Sequence, residues 1–267
     1  MLWEREFQVP TADGTMATFV ASQSRDRPIP LVIIYMDVWG IREELRQIAR
    51  DVAAKGYCCA LPDLYYRQGT VRHEFRDADG RMITLEKLSD ADKERVRAPL
   101  RTLTDKMVMQ DTENLIRFAR EHRFASARSV AVIGYCMGGR HALVAAGTFP
   151  NEVRAAACLH GTRLVIDGPD SAHLVAARAK GAIYCGFAEH DRFAAPAIVR
   201  AIELEMRAAG VSYCYKVHGN ADHGYALPDR DLYDREATHQ DWTAIEAMLQ
   251  RQLSVTADAL KLPMDIG

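Results

Sequence analysis

The sequence predicts an α/β domain built on a largely parallel sheet with helices on both faces. Two features predict it. After an opening hairpin signal, short apolar runs rich in Val, Ile, Ala and Cys alternate with amphipathic helical stretches as far as the C-terminal region, the pattern of repeated βα units. In mid-chain the run SVAVIGYCMGGRHALVAAGT, residues 129–148, passes from a β-branched strand through a glycine-flanked tight turn into an alanine-rich helix. With 267 residues, 48% of them hydrophobic, there is material for one large doubly covered sheet rather than two small domains.

The elements follow in order. Residues 7–9 and 16–21 flank Asp13-Gly14, a turn pair that joins antiparallel strands, so a hairpin is expected at one edge of the sheet. Pro28 and Pro30 lead into 31–35, a continuous apolar run expected of a strand buried on both faces. Residues 43–55 read as a helix with Leu45, Ile48, Ala49 and Val52 on one face and Gly56 as its stop; 57–61 is the next strand, ended by Pro62. From 65 to 100 the pattern loosens into a charged insertion, with Asp79-Gly80 as a hairpin turn between 72–76 and 81–85. A loop of that length is either a lid over a site or a solvated insertion. Helix 103–122, with Met107, Leu115, Ile116 and Ala119 inward, feeds the central strand 130–133. Strands 155–159, 182–187 and 211–217 follow, with a Pro196-initiated helix to Ala209 before the last of them and a helix over about 232–253 after it. No internal repeat or interdomain linker appears, so residues 1–267 read as a single domain.

Lys and Arg number 34 against 36 Asp and Glu, so no overall field favours nucleic acid or an anionic membrane. The N-terminal MLWEREFQVP carries Glu4, Arg5 and Glu6 where a signal peptide needs an apolar core, and no apolar run approaches the roughly 18 residues of a membrane span. The expectation is a cytoplasmic protein, monomer or homodimer, with a small-molecule partner and with no metal or cofactor. None of the six cysteines forms a CxxC pair, and Cys58, Cys59, Cys158, Cys185 and Cys214 fall in apolar strand-like runs, where they read as reduced core residues.

The sixth cysteine is different. Gly134-Tyr135-Cys136-Met137-Gly138 matches the nucleophile-elbow pattern GxSxG of α/β-hydrolases with sulfur in place of oxygen. Glycines two residues to either side are needed because the turn is strained and a Cβ there would meet the neighbouring strand or helix. Such a turn exposes the Cys136 side chain above the sheet edge, aims the Met137 amide at an incoming carbonyl oxygen, and sets the positive end of a helix beneath the sulfur. In open α/β sheets, sites form at the carboxyl ends of the strands. Asp191 and His223 follow two later strands at that end, in the order nucleophile, acid, base of the α/β-hydrolases. Glu189 and Asp222 compete for the acid, although Asp222 adjoins His223 too closely in sequence to orient it from across the site. His218 and His141 read as structural, and His160 either lines the pocket or caps its strand.

GYCMGG at 134–139, ALPDLYYRQG at 60–69, the MDVWG loop at 36–40, Asp191 and His223-Gly224 together resemble the dienelactone hydrolase family, a cysteine-nucleophile branch of the α/β-hydrolases. The resemblance runs from about Leu31 to the last helix. It implies the α/β-hydrolase fold, Cys136 as nucleophile, His223 as base, Asp191 as its orienter, and an oxyanion hole from the amides of Val38 and Met137. It further implies ester or lactone hydrolysis through a thioester. The family places a glutamate, which contacts the resting thiol, where this chain has Asp37; the shorter acid either reaches the sulfur or bonds its own loop. Trp39, Tyr65 and Arg67, in the matching runs, and His160 complete the candidates for contact with substrate or thiol. An arginine that the family uses for a substrate carboxylate, four residues after the histidine, is Leu227 here, and Arg67, Arg72, Arg81 and Arg230 are left as alternatives. Two other classes stay open: a hydrolase fold that only binds, and a redox protein using Cys136.

Overall fold

The computed structural model describes residues 2–24 and 29–253. Strands β1 (Trp3–Thr11) and β2 (Gly14–Ser22) form the expected antiparallel hairpin, and β2 pairs antiparallel with β4 (Cys58–Pro62). From there the sheet is parallel: β4, β3 (Pro30–Tyr35), β5 (Ser126–Tyr135), β6 (Val153–Leu159), β7 (Ala182–His190) and β8 (Tyr213–Asp222), giving eight strands in the order β1-β2-β4-β3-β5-β6-β7-β8. All six residues of β3 are buried, as a strand covered on both faces requires. Those faces are covered by α1 (Glu43–Ala54), α3 (Asp105–Glu121), α4 (Met137–Thr148), α6 (Pro196–Ala208) and α7 (Arg235–Gln252), with a short α5 (Ala172–Ala176) against α4. The α1 face is the one its spacing called for, with Leu45, Ile48, Ala49 and Val52 all buried.

Three boundaries depart from the sequence reading. The last strand runs on to Asp222, so 218–222, expected as loop, is strand, and β8 is largely exposed at the sheet edge. Cys214 lies exposed on it, whereas Cys58, Cys59, Cys158 and Cys185 are buried and free as expected. The helix expected over 103–122 is α3, and a further helix, α2 (Asp90–Thr102), precedes it where the charged insertion was expected; Ser89 and Thr104 each accept an amide hydrogen bond as an N-cap, from Asp92 and Met107, so the two helices start separately. Met107 is only half-buried, and Val108 and Met109 face the core in its place. The expected hairpin at 72–85 shrinks to one antiparallel bridge, Arg76 with Met82, around the Asp77–Gly80 turn. The insertion nevertheless has its own small core: Met82 and Val96 pack with Val38 and Trp39, flanked by Phe75, Leu85, Leu88 and Leu100.

Candidate active site

Cys136 stands between β5 and α4 with φ 55° and ψ −115°, a left-handed backbone that a residue with a Cβ adopts only under constraint. Its surroundings supply that constraint. The Cys136 amide donates to the Leu159 carbonyl at 3.0 Å, and the Cys136 carbonyl accepts from the Thr162 amide at 3.1 Å. A Cβ on Gly134 would overlap the Gly138 carbonyl, and one on Gly138 would overlap the carbonyls of Tyr35 and Met36, so both glycines are dictated by close backbone approach.

His223, just past the end of β8, places Nε2 3.3 Å from Cys136 Sγ and Nδ1 2.7 Å from Asp191 Oδ2. The other oxygen of Asp191 accepts the Phe193 amide at 2.8 Å, so the carboxylate is aimed from both sides, and its side chain is fully buried. Burial alone would lower the His223 pKa, but the adjoining Cys136 sulfur and the Asp191 carboxylate outweigh it and push it up to about 10. Glu189 accepts from the Asn220 amide instead, and His190 and Glu189 are exposed. His218 Nε2 donates to the Asp241 carboxylate at 2.6 Å in a buried group that also takes the hydroxyls of Tyr184 and Tyr225, which is structural. His141 bonds Asp105 at 2.9 Å, likewise away from the sulfur.

The Val38 amide has no hydrogen-bond partner among the described residues, and Met137 is the first residue of α4, where amides have no intrahelical acceptor. The buried Tyr65 sits between these two residues: its hydroxyl lies 3.3 Å from the Val38 carbonyl and 3.3 Å from Met137 Sδ. Asp37 has no hydrogen bond to the thiol among the described residues. Its Oδ1 accepts from the Trp39 amide at 3.1 Å, and both its oxygens accept from Arg42 at 2.8 and 3.1 Å, while Arg42 also clasps Asp229. Of the two positions open to this acid, the one in its own loop is therefore occupied, and the sulfur's partner is His223. Arg67 is likewise committed elsewhere, bidentate to Asp111 and bonded to Asp13. His160, 1% exposed with φ 38°, packs its ring edge-to-face on His223 at 5.1 Å, and its amide bonds the Gly186 carbonyl; it stands behind the histidine rather than in the cavity wall.

A cavity of about 340 Å³ opens over Cys136 and His223. Trp39 forms one wall, Met137 and Phe193 adjoin the sulfur and the histidine, and Leu85, Leu100 and Leu103 bring the insertion across the top. Of the four arginines left open, only Arg230 lines it. It is 5% exposed, stacks on Trp39 at 5.0 Å, and its one ion-pair partner among the described residues is Asp37, at 3.9 Å. Sequence reasoning missed Thr162, Arg163, Arg192 and Phe193, although each follows a strand's carboxyl end and that rule pointed to them. Arg97 and Arg101 had no such signal, because they reach the cavity on a helix that was read as loop. A larger depression of about 530 Å³ lies between α1 and α7 and contains none of Cys136, His223 and Asp191.

An eight-stranded, mostly parallel sheet with a glycine-flanked elbow after β5 and an acid and a histidine after β7 and β8 defines an α/β-hydrolase fold. The chain belongs to the dienelactone hydrolase family, whose model matches residues 16–253. Among its relatives, a protein named "Putative carboxymethylenebutenolidase" from Methylorubrum extorquens is 26% identical over 245 residues, covering 90% of this chain and 78% of that one. The carboxymethylenebutenolidase of Rhodococcus opacus is 24% identical over 232 residues, covering 84% and 82%. In fold it is similar to the crystal structure described as a "Putative Dienelactone Hydrolase" from Klebsiella pneumoniae, with a TM-score of 0.80, 21% identity, and 94% and 99% of the two chains covered. No described helix is long and apolar enough to cross a membrane.

Proposed function

We propose that the chain hydrolyses an ester or lactone by acyl transfer to Cys136. The observation that carries this reading is the continuous contact from sulfur to imidazole to carboxylate, 3.3 and 2.7 Å, at a strained elbow beneath a cavity. With its pKa held near 10, His223 keeps a proton at neutral pH beside the sulfur. The sulfur attacks the carbonyl carbon, the carbonyl π pair moves to oxygen, and the amides of Val38 and Met137 receive that oxyanion. Collapse breaks the ester C–O bond, and the leaving oxygen takes the proton from His223. Acylation removes the charge on sulfur that helped to hold this proton, so neutral His223 is then fit to take one from water as hydroxide adds to the thioester. Breaking the C–S bond frees the acid and returns the sulfur beside protonated His223.

A thiolate is a good nucleophile and a good leaving group, which suits activated esters and enol lactones better than amides, and the relatives' name, carboxymethylenebutenolidase, points the same way. Arg230, buried at the cavity wall with no side-chain hydrogen bond among the described residues, is a fitting partner for a substrate carboxylate. The insertion at 65–100 serves as the lid of this single domain. Turnover of a p-nitrophenyl ester by the wild type is expected to vanish in Cys136→Ala and in His223→Ala. Activity retained in both variants would overturn the reading.

A further inference from the structure

The chain carries a net charge of −2, yet the cavity wall holds five arginines, Arg97, Arg101, Arg163, Arg192 and Arg230, and a single carboxylate, Glu86. Two of the arginines at the mouth have their charge met: Arg192 pairs with Glu86 at 3.4 Å, and Arg101 pairs with Glu94. Arg97 and Arg163 have neither an ion pair nor a side-chain hydrogen bond among the described residues. On α2 the residues one turn before and after Arg97 are Lys93 and Arg101, so its own helix offers like charge, and Glu94 is already taken. Arg163 comes from a different segment, the loop that binds the elbow cysteine: the preceding residue, Thr162, donates its amide to the Cys136 carbonyl, and the Arg163 carbonyl accepts from Arg140. Its backbone is left-handed, φ 51°, a conformation held by these contacts. The same wall carries the apolar Leu85, Leu100, Trp39 and Phe193, and low-dielectric walls focus the field of unmatched charges into the cleft.

We infer that the mouth of the cavity is a second anion site, in which Arg97 and Arg163 take a carboxylate distant from the reacting carbonyl. It deepens the proposed hydrolase reading and rests on it for the word substrate: the natural ester or lactone carries two carboxylates, one at Arg230 and one at the mouth. Planar guanidinium forks from two separate segments lining one cavity suit a carboxylate held by both.

The test is protection of Cys136 from iodoacetamide by non-reactive acids, with labelling located by peptide mass. A series of α,ω-dicarboxylates from succinate to suberate is compared with monocarboxylates of equal length on the wild-type chain. At one length the dicarboxylate should half-protect at a concentration lower by about tenfold. In the Arg97→Gln/Arg163→Gln double variant this difference should shrink to less than about twofold, since each Gln keeps bulk and polarity without charge. Equal protection by both series in the wild type overturns the site, and so does a difference that survives in the double variant. Protection needs no turnover, so loss of p-nitrophenyl ester hydrolysis as the sole failure would sink the hydrolase reading while the anion site stands.

Discussion

Cys136, His223 and Asp191 lie far apart in sequence and meet because each ends a strand on one side of a parallel sheet. Their order of dependence is readable in the contacts. The elbow backbone sets the sulfur, the sulfur and the carboxylate share the imidazole, and the Phe193 amide locks the carboxylate. Asp191→Asn should therefore keep the fold and lower esterase turnover by about a hundredfold or more, because the histidine loses both its tautomer preference and its countercharge. The same change has a signature in pH. Removing an anion that helps to hold the His223 proton lowers its pKa, so the alkaline limb of the activity profile should move down from about pH 10 toward neutrality. An unmoved limb together with unchanged turnover would take Asp191 out of the mechanism. Asp37 shows how one methylene alters an assignment. Bound to Arg42 and to its own loop, it leaves the thiol to His223, so a thiol guarded by this acid has no counterpart in these contacts.

Among the elements, the insertion is the part whose sequence and packing differ most in what they tell. Its composition is charged, but Met82, Val96, Leu85 and Leu100 form a satellite cluster with Val38 and Trp39 that is separate from the main core. Changes there bear on the cavity more than on the sheet. Leu85→Ala and Leu100→Ala widen the cavity that also holds Cys136, so kcat/KM along a p-nitrophenyl acetate-to-octanoate series should shift toward longer acyl chains by several-fold. The melting temperature should fall by only a few degrees, since Leu85 and Leu100 are half-buried in the smaller cluster. An unchanged chain-length profile with a large loss of stability would make the segment packing and not a lid.

For the whole molecule, the pH range of stability is bounded by groups that hold the site together. Asp105 begins α3 and binds Arg140 and His141 on α4, the helix that carries the elbow. Burial would raise its carboxyl pKa, but hydrogen bonds from His141 and Arg140 prevail and bring it to about 2. A carboxylate depressed in the folded state contributes stability that is present above its ordinary value near 4 and is lost as the pH falls toward 2. The contribution is about 2 kcal/mol, so acid unfolding of the wild type should steepen across that window, and Asp105→Asn should lose that part of the slope. His223 acts with the opposite sign. Its raised pKa contributes stability in full below about pH 6.5, and this fades as the pH climbs through about 10. Denaturant midpoints measured from pH 2 to 11 check both limbs.

Strand existence, strand order along the chain, the elbow and the family were legible in the sequence because they rest on local physics: apolar runs, helical spacing around Leu45, Ile48 and Val52, and glycines two residues either side of Cys136. Boundaries set by distant partners were not. The strand character of 218–222 comes from pairing with β7, and α2 hides a helix within a charged stretch that contains Pro99. The same holds for the substrate side of the site. Four arginines looked alike in the sequence, and only packing separates Arg67, neutralised by Asp111, from Arg230, buried on Trp39 at the cavity wall, because the partner of a charge is a matter of three-dimensional neighbours. Asp37 likewise could bond the sulfur or its own loop, and it is Arg42, itself held by Asp229 from far along the chain, that decides between them. The proposed reacting groups were thus written in local motifs, while their electrostatic surroundings were settled by which distant charges the fold brings against them.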